Sequence, residues 1–125
     1  MTDLVELPPP SERPIVRANE RVQVPSPTPG LTIELLAPGV SEGHTYALAT
    51  LDPGVTAAAR RYRLPGQEHF VYMLKGRAAM EFANGESVTL QAGDSIAYNS
   101  DDYRLMRNLH RGPTSIIWVS FPQRS

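Results

Sequence analysis

Beyond residue 30 the chain reads as short apolar runs of strand length, at 31–36, 45–51, 55–63, 69–75, 77–82, 86–90, 94–98, 103–108 and 114–121. Turn signals separate them: APGVSEG, DPG, LPG, KG, ANGE, QAGD, NSDD and HRGP. Asn84-Gly85, flanked by MEFA and ESVTL, is the strongest hairpin signal in the sequence. No window sustains a 3.6-residue period, so the only helix expected is a single turn near the N-terminus. Many short strands joined by tight turns predict an all-β sandwich or barrel.

Composition adds limits. The 12 prolines and 9 glycines fall between the runs, as punctuation of a β fold. Residues 1–14, ending LPPPSERP, favour extended polyproline geometry and read as a flexible arm, leaving 15–125 as one domain. A net charge of −1 offers no basic field for nucleic acid. The pairs in ARRYR and MRNLHR are the only local basic densities, too sparse for a nucleic-acid groove. No apolar run approaches a membrane span, and no signal-peptide pattern opens the chain. The absence of cysteine excludes disulfides and thiolate chemistry, and suits a cytoplasmic location.

Two stretches carry a frame of another kind. Gly54 is followed by VTAAA, then Arg60-Arg61-Tyr62, the loop RLPGQE, His69, FVYMLK and Gly76. Further on, Gly93 is followed by DSIAY, then Asn99-Ser100-Asp101, DY, Arg104, LMR and Asn108. Over roughly 31–122 this spacing resembles the cupin superfamily, whose fold is a double-stranded β-helix, the jelly-roll barrel. The resemblance implies metal ligands at four positions, two histidines and a glutamate in the first motif and a histidine in the second. Here those positions hold Arg60, Tyr62, His69 and Arg104, while Asn99 and Asp101 replace a Pro and a Gly. The segment PIVRANERVQVPSPTPGLTIELLAPG before the frame is also similar to the C-terminal effector domain of bacterial helix-turn-helix regulators. The DNA-binding half is absent from this chain, so no nucleic-acid partner is carried over.

Divalent metals need lone pairs at about 2.0–2.5 Å, which guanidinium groups lack, so neither metal nor other cofactor is expected. Alternation along strands puts Arg60 and Tyr62 on one face, and Arg104, Met106 and Asn108 on one face, both inward in the cupin frame. Buried arginine requires an answer: a protein carboxylate (Glu68, Glu81, Asp94 or Asp102), an open barrel mouth, or an anionic ligand held by the guanidinium fork. His69 is either a packing residue or a neutral proton acceptor, since cationic neighbours disfavour imidazolium. Met73, Met80 and Met106 either fill the core or form a pocket wall. His44 and His110 fall in turns and read as surface residues. Trp118 reads as a filler of the core or of a sheet–sheet interface.

Two functions follow. The first is a metal-free cupin domain that senses a small anionic or polar organic ligand through Arg60, Tyr62, His69, Arg104, Met73 and Met106. The second is a metal-independent isomerase, lyase or cyclase with His69 and Tyr62 as catalytic groups and the arginines stabilising an enolate or carboxylate. A homodimer is expected, because cupin sheets expose edges and apolar faces and segment 15–36 has strands to add to a neighbour.

Overall fold

The computed structural model describes residues 15–26, 28–37, 44–58 and 67–122, and the proposed arm at 1–14 lies outside them. The strands are β1 (Gln23–Val24), β2 (Leu31–Leu35), β3 (Thr45–Leu51), β4 (Thr56–Ala58), β5 (Gln67–Lys75), β6 (Arg77–Phe82), β7 (Ser87–Gln91), β8 (Ser95–Asn99), β9 (Tyr103–Asn108) and β10 (Thr114–Pro122). The expected helical turn is a 3-10 turn at Ala18–Glu20. Among the described residues no helix is long and apolar enough to cross a membrane. The runs at 86–90 and 94–98 begin one residue later in the structure, and the run at 55–63 is described only as far as residue 58.

These strands form two antiparallel sheets, ordered β1-β2-β3-β10-β5-β8 and β4-β9-β6-β7. The order is that of a jelly roll: the C-terminal strand β10 is inserted between β3 and β5, so the central pairings of the larger sheet are all distant in sequence. Segment 15–36, expected to lend strands to a neighbour, contributes β1 and β2 to its own chain's larger sheet, with Gln23 opposite Glu34 and Val24 opposite Ile33 and β1 at the edge.

Alternation puts one residue in two between the sheets. On β3, Ala47, Ala49 and Leu51 are buried; on β6, Ala78, Met80 and Phe82. Leu51, Met73 and Met80 are essentially sealed from solvent. Each such side chain contributes about 1.5–3 kcal/mol of burial free energy. Small residues face large ones across the larger sheet: Ala47 lies opposite Trp118, and Ala49 opposite Ile116. Of the two, Ala49 borders a space left unfilled in the middle of the sandwich.

Turns follow the expected chemistry. In the Asn84-Gly85 hairpin the Gly85 N–H donates to Phe82 O at 2.9 Å, and the Phe82 N–H to Glu86 O at 2.9 Å. Gly85 has φ of 89°, open to glycine at little cost. Between β5 and β6 the constraint is harder. A Cβ on Gly76 (φ 94°) would come within 2.9 Å of Thr114 Cα, so the glycine is required by both conformation and space.

Below this turn sits a buried polar hub. Asn108 Nδ2 lies 3.0 Å from the carbonyls of Leu51, Asp52 and Gly112, and its Oδ1 accepts from the His110 N–H at 2.8 Å. The last residue of the second motif thus pins loops from both sheets.

Candidate functional site

A cavity of about 70 Å³ opens between the sheets. Its wall is built by Leu31 and Ile33 of β2, Ala49 and Leu51 of β3, His69 and Val71 of β5, and Tyr98 of β8. Ser100, Ile116 and Trp118 continue it, and Ala57, Tyr103 and Met106 close it from the smaller sheet. None of these described wall residues carries a formal charge near neutral pH unless His69 is protonated.

His69 is the chemical centre of this wall. Strand register puts it between Ser120 of β10 and Tyr98 of β8. Its ring meets Tyr98 edge-on at 5.4 Å and 81°, and Trp118 edge-on at 5.3 Å and 86°. The residue is only 5% exposed, and its Nε2 is enclosed with no hydrogen-bond partner among the described residues. An unpaired buried nitrogen costs about 1–3 kcal/mol. Burial also lowers the pKa of His69 below its ordinary 6.5, so the ring is neutral near pH 7.

The aromatic wall continues from Tyr98, which stacks on Tyr103 at 5.7 Å and meets Phe82 edge-on at 5.8 Å. Burial raises the Tyr98 pKa far above the usual phenol range, so its hydroxyl stays protonated. Tyr103 donates from its hydroxyl to Ala57 O at 2.7 Å, tying β9 to β4. Tyr103 follows a one-turn 3-10 segment, Ser100–Asp102, whose N-cap Asn99 accepts from the Asp101 N–H at 2.8 Å. Where the cupin frame has Pro-x-Gly, this chain makes the bend with an Asn cap.

The structure redistributes the expected site residues. His69 and Met106 lie on the cavity wall as expected. Met73 is fully buried but belongs to the core and not to the wall. Arg60 and Tyr62 lie outside the described residues. Arg104 corrects the inward reading: it is exposed and absent from the wall. Glu81 pairs with Leu105 and Phe82 with Tyr103, so Arg104 is the extra residue of a β-bulge. The bulge shifts the alternation by one, and Tyr103 takes the inward place that simple parity gives to Arg104. The expected lining of fixed positive charge is therefore not found among the described residues. His44, expected at the surface, is half-buried and stacks on Tyr46 and Phe121.

Sequence reasoning missed Tyr98, Ser100, Tyr103, Ala49 and Ala57 as wall residues. Tyr98 shares strand parity with Ile96, a signal that was readable; the role of Tyr103 was hidden by the bulge. The metal implied by the frame finds no matching set of donors among the described residues. Among the described residues no group of three or more His, Asp or Glu side chains could hold one. Of the four ligand positions, only His69 supplies a described lone pair.

Two antiparallel sheets in jelly-roll order around an interior cavity define a small β-barrel domain. The cupin domain profile matches residues 47–120, more than half of the chain, and the chain belongs to the cupin family. The fold is similar to the cupin domain of an XRE family transcriptional regulator from Enterobacter cloacae (18% identity, 76% of this chain and 99% of that one, TM-score 0.65). It is also similar to KdgF from Halomonas sp. (16% identity, 89% and 96% covered, TM-score 0.68). A third likeness is to ectoine synthase from P. lautus (16% identity, 82% and 70% covered, TM-score 0.61). At these identities the likeness is one of fold. No curated protein sequence matches the chain.

Proposed function

We propose that this cupin domain binds a small organic molecule inside its barrel and acts as an effector-sensing module. The observation that carries the reading is an interior cavity with the buried, neutral ring of His69 on its wall. A small organic molecule that fills this largely apolar space buries apolar surface and gains dispersion contacts with the wall. The likeness to a regulator's cupin domain supports the sensing role.

Thermal unfolding against a panel of small organic molecules tests this. A binder at 100 times its Kd adds about 2.7 kcal/mol of stability. The expected result is a shift in the parent protein that disappears when the cavity is filled by Ala49→Leu, with near-UV circular dichroism confirming that the variant is folded. Equal shifts in both proteins, or none in either, overturn the reading.

A second reading, a metal-independent isomerase, lyase or cyclase, is favoured by the neutral, buried imidazole of His69, which is able to accept a proton. Tyr62, its other catalytic candidate, lies outside the described residues. His69→Ala separates the two. In an enzyme the ligand still binds within about threefold and turnover stops; in a sensor the affinity itself falls.

A further inference from the structure

Building on the ligand-binding reading above, we propose that the cavity takes the apolar end of its ligand, an alkyl group of about three carbon atoms. The described wall selects that end by size, whichever head group the ligand carries.

The polarity of the wall is the first reason. Its described part presents almost only carbon, with Leu51, Val71, Met106 and Ile116 all buried there. The Tyr103 hydroxyl donates to Ala57 O at 2.7 Å, and His69 Nε2 is sealed from solvent, so neither one donates to an occupant. What holds an occupant against this wall is the burial of its own apolar surface, together with dispersion.

Volume is the second. The cavity measures about 70 Å³. An apolar cavity of about 150 Å³ takes up benzene, and one water occupies about 30 Å³ of the liquid, close to the share of a methylene group. The space is too small for a six-membered ring and holds about two or three carbons.

The origin of the space is the third. Ala49 on β3 and Ala57 on β4 border it from opposite sheets, and both are buried. Leucine in place of Ala49 fills it, and valine in place of Ala57 fills most of it. The size limit therefore rests on two small side chains that face a common void.

Two homologous series test this, the carboxylates from acetate to hexanoate and the primary alcohols from methanol to hexanol. Each is titrated at pH 7.5 against the 13C-methyl resonances of Ala49, Ala57 and Met106. Affinity should rise about fourfold with each added carbon until the tail has about three, and then level off or fall. The break should come at the same tail length for both head groups, and benzene should leave the three resonances unmoved, a readout that needs no variant. Ala49→Leu should abolish the rise, and the milder Ala57→Val should bring the break to a shorter tail, with near-UV circular dichroism confirming that each is folded. A rise that continues through hexanoate and hexanol, a shift with benzene, or a break that survives both variants overturns the size rule while leaving a working binding cavity. Methyl resonances that answer to no probe overturn it too. The binding reading itself falls only if the thermal panel above is also silent.

Discussion

Thr114 donates its hydroxyl hydrogen to Asn108 Oδ1 at 2.6 Å, inside the protein and six residues along the chain. The same Thr114 oxygen accepts from the Arg77 N–H at 3.2 Å. Through this pair the turn after β5, the end of β9 and the start of β10 are held in one polar knot. Asn108→Ala should therefore lower stability by about 3 kcal/mol, because it strands several buried carbonyls at once. Asn108→Asp should not rescue it, since a carboxylate has no hydrogens for the carbonyls of Leu51, Asp52 and Gly112. Urea denaturation of both variants measures this.

The adjoining glycine gives a contrast that isolates packing from conformation. Gly76 and Gly93 have nearly equal φ, 94° and 95°, but a Cβ at Gly93 meets nothing within 4 Å while one at Gly76 collides with Thr114. Gly93→Ala should cost about 1–2 kcal/mol from backbone strain alone. Gly76→Ala should cost clearly more, about 3 kcal/mol or above, as overpacking is added to the strain. Equal losses in thermal denaturation would contradict the collision.

His69 predicts a pH dependence whose sign is fixed. Its pKa in the folded protein lies below the 6.5 of the unfolded chain, so on acidification the unfolded state takes up the proton first. The stabilisation is complete above about pH 6.5 and is lost as pH falls toward and through the folded pKa. His69→Phe should flatten this part of the profile. At pH 7.5 the variant should be as stable as the parent or more so, because it removes an unpaired buried nitrogen.

Arg104 and Tyr103 test the bulge. Arg104→Ala should change stability by less than about 0.5 kcal/mol, since the side chain is exposed and off the cavity wall. Tyr103→Phe should cost about 1 kcal/mol through its lost bond to Ala57 O. The opposite ranking in a denaturation series would return Arg104 to the interior.

The outer face of the larger sheet motivates the proposed homodimer. Register lines up Leu48, Ile117 and Tyr72 in one row and Tyr46, Val119 and Phe70 in the next. Tyr46, Tyr72 and Leu74 are well exposed there, at 43%, 37% and 45%. A contiguous apolar patch of this kind calls for cover. Light scattering at micromolar concentration should give twice the 13.8 kDa chain mass, and Val119→Lys should halve it. A parent mass of one chain would rule the dimer out.

The sequence alone determined the local elements: the strand runs, the Asn84-Gly85 hairpin and the glycine turns, because these depend on alternation and on backbone freedom within a few residues. It also determined that two of the four ligand positions of the frame, Arg60 and Arg104, hold guanidinium groups, which lack a lone pair wherever they point. The interior cavity was decided only in three dimensions. Its wall draws on β2, β3, β4, β5, β8, β9 and β10, and the pairings that bring β10 between β3 and β5 span distant parts of the chain. The direction of Arg104 was likewise beyond reach of any pattern, because one extra residue opposite Glu81 and Phe82 reverses the alternation from which the inward reading came. The burial of His69 Nε2 without a partner among the described residues belongs to the tertiary structure too: whether a nitrogen finds a partner depends on which strands stand beside it, and here they bring two aromatic rings.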